Sequence, residues 1–502
     1  MAWRLRLRQR GVSRSSSSAS RPALTARLAQ CQLLHAESLT QPEQFWRREA
    51  SALEWVRPPQ VCFEGDLAAG DVSWFADGLL NVTLSCVDRH ARSSPDTPAL
   101  VWLRAEGDVE TLSYRVLRQQ MCRMSNVLLA HGVRPGDRVA VYLPVGVPLV
   151  VALLACARVG AVHFAVPAQT EPDWLRRALR LARVKVLVTA NEAEVEQERI
   201  PLWERTDEAL NGLGRVEAVL VHWRTAARVP LAYARDHDLD RALGLARPTC
   251  MPALVHGEDA LLLASAGSDE GPRPVVHAAA GFVLQALLAQ REALGLGPGD
   301  RVLCRTERSG PRTDVLYGAL ALGATLVLDE RGDAVDRLDA LGVTHFIGQT
   351  GDVAKAVVVR GPRATPALVA SSEGVGADME AVWSSEGGGL LLARWPGVGS
   401  SPLFGIDPLL LDARGEPVAP LAEGELWTRG SWPAQPRTLE GDHARFVDQR
   451  LRRVPGLYRT GERCRRLKDG TLVWTGRTVE PALVALSTPD ELSVRAGPIG
   501  RA

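Results

Sequence analysis

The sequence predicts an α/β protein: two similar, mostly parallel sheets flanked by helices in a large N-terminal domain, followed by a small β-rich subdomain. Three observations predict it. A unit built on PGDRV occurs twice, beginning near His131 and near Leu294. Each copy runs from a short β-branched stretch through an Ala/Leu-rich helical stretch to a Gly-Ala step (Gly160-Ala161 and Gly323-Ala324) and a second apolar run. That strand–helix–strand order puts consecutive strands parallel, with helices covering the sheet. Beyond Leu409 the pattern changes to short strands separated by turn residues.

Taken in order, the chain opens on residues 1–30, where Arg4, Arg6, Arg8, Arg10, Arg14, Arg21 and Arg27 alternate with leucines and a Ser15–Ser18 run. No acidic residue precedes Glu37. Arg-rich, Ser-rich and acid-poor composition marks a mitochondrial transit peptide, disordered and outside the fold, which would direct the protein to the matrix. A plain basic tail on a cytoplasmic protein has the same composition. The first half of the large domain extends over about 39–250 and carries the first PGDRV unit, then a helix at Trp174–Arg183 and a strand at Lys185–Thr189. The second half, about 251–408, carries the other unit, about 160 residues downstream. In both, Pro-Gly-Asp supplies the turn. Over 409–480, LLLDARGEPV and GELWTRG read as strands and RRLKDGTLVWTGR as a hairpin turning at Asp469-Gly470. Residues 481–502 lose periodicity and read as a frayed tail.

Bulk composition excludes several classes. The 502 residues are 46% hydrophobic and 23% charged, with net charge +1. That balance gives no field favouring nucleic acid or an anionic membrane, and the apolar runs fall short of the ~18 residues a transmembrane helix needs. The eight cysteines form no CxxC and several lie in apolar runs, so they read as buried thiols, not as a disulfide frame or zinc site. The isolated His163, His277 and His443 read as structural.

Several blocks, in one order, resemble the AMP-forming acetyl-CoA synthetases of the adenylate-forming superfamily. They are LTQPEQFWRREASALEW (Leu39–Trp55), WFADGLLNVTLSCVDRHA (Trp74–Ala91, with Asn81, Cys86, Asp88 and His90 in the family's spacing), GDRVAVYLPVGVPLVVALLACARVGAVH (Gly136–His163), FGIDP (Phe404–Pro408), GDHARFVD (Gly441–Asp448), PGLYRTGE (Pro455–Glu462) and WTGR (Trp474–Arg477). The resemblance spans roughly Leu39 to Glu480. It implies an adenylate-forming-type domain over 39–408, ATP with Mg²⁺ as cofactors, CoA as co-substrate, and an acetate–CoA ligase working through an acyl-adenylate.

Carried over residue by residue, the resemblance places the phosphate loop in LLLASAGSDEGPRPVVH (Leu261–His277). Ser265, Gly267, Ser268 and Gly271 remain small or hydroxylic, and Arg273 could replace a lysine. Asp269 and Glu270 stand where neutral residues belong, and carboxylates repel a polyphosphate. The segment suits a crippled phosphate cradle or a plain surface turn. AVWSSEGGG (Ala381–Gly389) resembles the family's Trp-Trp-Gln-Thr-Glu-Thr-Gly-Gly: Glu386 matches the Mg²⁺-linked glutamate, Ser385 a threonine, and Trp383 the indole that limits the acyl pocket to acetate. Glu462, in Thr460-Gly461-Glu462, replaces the ribose-binding aspartate, and Arg477 matches a second ribose contact; a surface hairpin ion pair would use the same residues.

Other family segments lack counterparts. RTERSGPRTDVL replaces the Asp-Val-Gly-Trp block, the adenine loop is not evident, and the sequence ends at Ala502 without the family's C-terminal lid and its lysine. Since one preorganised donor is worth ~10²–10³ in rate, very weak or no ligase activity is expected of this chain. The competing expectations are an acetate–CoA ligase, a non-catalytic relative that keeps nucleotide binding or an interaction role, and a partial gene product of an active enzyme.

Overall fold

A computed structural model describes residues 21–195, 198–268, 271–305, 312–350, 353–357, 379–384, 386–395 and 397–477. Its two large sheets, with helices packed on them, and its small antiparallel sheet are the predicted α/β fold. In the first sheet the strands lie in the order 236–238, 218–222, 186–190, 138–142, 162–166, 260–268, 271–278 and 438–439. The first six are mutually parallel. In the second sheet the order is 399–402, 389–395, 380–384, 353–357, 345–350, 301–305, 325–329, 98–103 and 109–113, with a parallel centre from 345–350 to 98–103. The small sheet pairs 407–411, 423–429, 457–466 and 472–477, all antiparallel.

The duplication extends to individual hydrogen bonds. Asp137 caps its turn by accepting the Arg134 N–H at 2.8 Å, and Asp300 accepts the Gly297 N–H at 2.9 Å. The Asp137 carbonyl accepts from Val162 and the Asp300 carbonyl from Thr325, each at 2.9 Å, so each PGDRV turn starts two parallel strands together. The Gly-Ala steps end the two helices with glycines at φ 73° and 74°, left-handed values that favour glycine.

The two sheets are not contiguous in sequence. Strands 98–103 and 109–113 lie in the first half of the chain but join the second sheet, while 260–268 and 271–278 lie in the second half and join the first. The expected division near residue 250 therefore does not separate the sheets.

The N-terminal expectation also needs correction. An α-helix spans Arg21–Thr40, so Arg21 to Gln30 do not belong to a disordered leader; residues 1–20 lie outside the described residues. Leu28 and Cys31 are buried, Leu24 packs beside them, and the Arg27 guanidinium donates to the Leu294 carbonyl. The i, i+4, i+7 spacing of Leu24, Leu28 and Cys31 gives the helix an apolar stripe that outweighs the arginines between. The following segment is held by aromatics: Phe45 packs on Phe404 at 5.7 Å between centroids and Trp46 edge-on to Trp74 at 5.5 Å. Each such buried ring contributes about 1.5–3 kcal/mol relative to exposure.

Asn81 ties the segment Trp74–Ala91 to the body of the fold. It is fully buried; its amide donates to the carbonyls of Ala157 (2.9 Å), Arg158 (3.2 Å) and Ala253 (2.7 Å), and its oxygen accepts from Thr83. Asp88 pairs with Arg158 and Arg118 beneath it. These residues hold the helix 147–158 in place. All eight cysteines are free thiols and six of them are buried. Among the described residues no helix is long and apolar enough to cross a membrane and no cluster of metal-ligating side chains occurs.

Candidate functional site

The segment expected to cradle phosphate is a β-hairpin. Ser265 pairs with Pro274, Ala266 with Arg273, Gly267 with Pro272 and Ser268 with Gly271, while Asp269 and Glu270 lie outside the described residues. Alternating small residues and two prolines continue the apolar strand Leu261–Leu263 into an antiparallel ladder. Such a ladder aims N–H groups sideways at partner strands instead of inward at one point. At the hairpin base, Glu258 accepts the Trp74 N–H at 2.8 Å and forms an ion pair with Arg437.

The hairpin, the WSSEGGG segment and the small sheet meet at 432–438. Strand 438–439 pairs with 271–278, the Trp432 indole donates to the Gly387 carbonyl at 3.3 Å, and Gly388 lies against Ala434. A Cβ on Gly388 would stand 2.3 Å from the Ala434 carbonyl oxygen, so the glycine is required by that approach. Trp432 in turn packs edge-on to Tyr458, whose hydroxyl burial pushes well above the ordinary tyrosine range.

Within this cluster, Trp383 is buried and clamped. Its indole N–H donates to the Asp314 carboxylate, and the Arg312 guanidinium lies 4.5 Å above its ring. Arg312 Nε is 3.4 Å from the other Asp314 oxygen, and both side chains are at most 10% exposed. Arg312 Nε and Nη2 find no hydrogen-bond acceptor among the described residues. The space beside the indole, bounded by Gln285, Gln290, Asp314 and Leu390, is about 10 Å³. One water needs about 10–15 Å³ by this measure, so the indole is closely packed on this side.

Glu386 follows the strand 380–384, and its carboxylate forms an ion pair with Arg450, the last residue of the helix His443–Arg450. Arg450 Nη1 also lies 3.4 Å from the Arg459 carbonyl, against Gly461. The structure therefore brings Glu386 to Thr460-Gly461-Glu462 of the strand 457–466 through an arginine that the sequence did not single out. Arg450 and Glu386 are 64 residues apart, and no local pattern pairs them. Glu462 is buried, accepts the Trp474 indole N–H at 2.9 Å, and lies opposite Arg477 in the strand register. Ser385 lies outside the described residues.

These contacts bear on the Mg²⁺ and ATP that the sequence leads one to expect. A divalent cation on Glu386 would face the Arg450 charge at contact; two like charges 4 Å apart cost about 4 kcal/mol near a protein surface, and a doubled charge about 8. The carboxylate as arranged does not fit the metal.

Comparison with known proteins is consistent with this architecture. Residues 87–358 match the model of the AMP-binding enzymes, and residues 31–86 match the acetyl-coenzyme A synthetase N-terminus. Acetyl-coenzyme A synthetase 1 of Pseudomonas aeruginosa is 32% identical over 491 aligned residues, covering 88% of this chain and 75% of that protein. The chain belongs to the acetyl-coenzyme A synthetase family. Another member, from Syntrophobacter fumaroxidans, is 32% identical over 501 aligned residues, with 88% and 75% covered. Acetoacetyl-CoA synthetase from Streptomyces lividans shares the fold, with a TM-score of 0.70 over 95% of this chain and 77% of that one at 19% identity. In this chain Trp383 and Glu386 are engaged from elsewhere in the fold, the first by Asp314 and Arg312 and the second by Arg450.

Proposed function

We propose that this member of the acetyl-coenzyme A synthetase family binds an adenine nucleotide and does not turn acetate over. The observation that carries this is the packing of Trp383, which the reading takes as the wall of the acyl pocket: Asp314 and Arg312 fix its indole, and about 10 Å³ remains beside it. An acid that cannot enter cannot be positioned for attack on ATP, and positioning is worth several orders of magnitude in rate. Nucleotide binding is supported by Glu462 opposite Arg477 beside Thr460-Gly461.

Acetate-dependent pyrophosphate exchange tests the proposal. No exchange above background is expected, while ATP raises the melting temperature by mass action. Exchange above background would overturn it in favour of an acetate–CoA ligase (AMP-forming, with CoA as co-substrate), which the family match favours.

We also propose that the basic stretch before Arg21 directs the protein to the mitochondrial matrix, on the strength of Arg4, Arg6, Arg8, Arg10 and Arg14 without an acidic residue. Fusing residues 1–20 to a fluorescent reporter should send it to mitochondria; a diffuse cytoplasmic reporter would refute this.

A further inference from the structure

We infer that Arg450 takes the place of a divalent cation in nucleotide binding, so that this chain holds its nucleotide without Mg²⁺. The inference rests on the nucleotide-binding half of the function proposed above. The helix His443–Arg450 starts on Asp442, whose carboxylate accepts the Arg445 N–H at 3.1 Å, and its last residue is the arginine. A cation at a helix C-terminus is favoured by the exposed carbonyls there. From that end the side chain reaches inward, where it is 14% exposed and Glu386 is 18% exposed.

Among its oxygen partners in the described residues are a carboxylate, Glu386, and a main-chain carbonyl, Arg459. Those are the ligand types a hard divalent ion takes from a protein. The room for it comes from Gly461: with φ at 80°, a Cβ there would lie 3.1 Å from Arg450 Nη1. The guanidinium thus bridges the carboxylate that follows strand 380–384 and the Thr460–Glu462 stretch of strand 457–466, the two parts that a metal–nucleotide complex would have to join. A guanidinium presents a planar fork of N–H donors that matches phosphate oxygens, and its charge is permanent across the physiological range. A second cation on the same carboxylate is disfavoured by that charge.

The test is titration calorimetry of the full chain with ATP, once with Mg²⁺ and once with EDTA. The expected affinities agree within about twofold. Arg450→Gln should weaken binding in EDTA by about tenfold or more, as loss of a charged hydrogen bond does, and Mg²⁺ should now restore it by reaching the uncovered Glu386. Arg450→Lys, which keeps the charge, should remain insensitive to Mg²⁺. Wild-type affinity that depends on Mg²⁺ would overturn the inference while leaving nucleotide binding intact. No binding under either condition would overturn the nucleotide-binding proposal itself, and the inference with it. The wild-type comparison decides between these outcomes even where the glutamine variant does not fold.

Discussion

Asp314→Ala probes the packing around Trp383 most directly. The Asp314 carboxylate accepts the Trp383 indole N–H and faces Arg312 Nε at 3.4 Å, and the two charged side chains are 10% and 7% exposed. Truncation strands a buried guanidinium, which costs about 3–5 kcal/mol. The indole N–H left without an acceptor costs about 1–3 kcal/mol, a loss that overlaps the first. A loss of about 4 kcal/mol is therefore expected, read as a lowered urea midpoint at unchanged slope. Arg312→Met combined with Asp314→Asn keeps an acceptor for the indole and removes the buried charge, so the pair should lose only about 1 kcal/mol. Arg312→Met and Asp314→Asn, each measured alone and then together, should show a coupling of about 2–3 kcal/mol in a double-mutant cycle. A loss below about 1 kcal/mol for Asp314→Ala, or additive losses, would refute the clamp.

Two further outcomes follow from groups outside the pocket. Burial pushes the His163 imidazole down to about 3, and its Nε2 shares a 2.7 Å hydrogen bond with the Tyr317 hydroxyl. Its contribution to stability is complete above pH ~6.5, where the unfolded imidazole is neutral, and is lost as pH falls toward 3 at about 1.4 kcal/mol per unit. His163→Gln should flatten that limb in urea midpoints taken between about pH 7 and pH 4; an unchanged slope would count against it. Asn81→Asp replaces three donated hydrogen bonds with a carboxylate facing the Ala157, Arg158 and Ala253 carbonyls. It should cost about 3 kcal/mol or more, and a melting temperature within about 2 °C of wild type would contradict the described network.

What the sequence disclosed was what is local. The PGDRV turns, the Gly-Ala helix ends and the final hairpin each depend on residues within a few positions of one another. The division of strands between sheets was hidden because 98–103 pairs with 325–329, and nothing in either stretch names its partner. The helix from Arg21 was obscured by its arginines, although the Leu24, Leu28 and Cys31 spacing was in view. At the candidate site, Trp383, Glu386 and Glu462 were legible as residue types in a familiar order. Their actual neighbours, Asp314, Arg450 and Trp474, are set by tertiary packing; only the last lies in the same hairpin as its partner.

The crossing of strands between sheets has a consequence for synthesis. The strand Pro98–Leu103, with five of its six residues buried in the finished fold, is made more than 200 residues before its neighbour Thr325–Asp329. At about 5–20 residues per second, it waits on the order of 10–40 s at the ribosome without the edge it will occupy. During that interval a short apolar segment flanked by Val109–Ser113 is a natural ligand for a chaperone, and a chain severed between the two strands would leave neither fragment able to complete the second sheet.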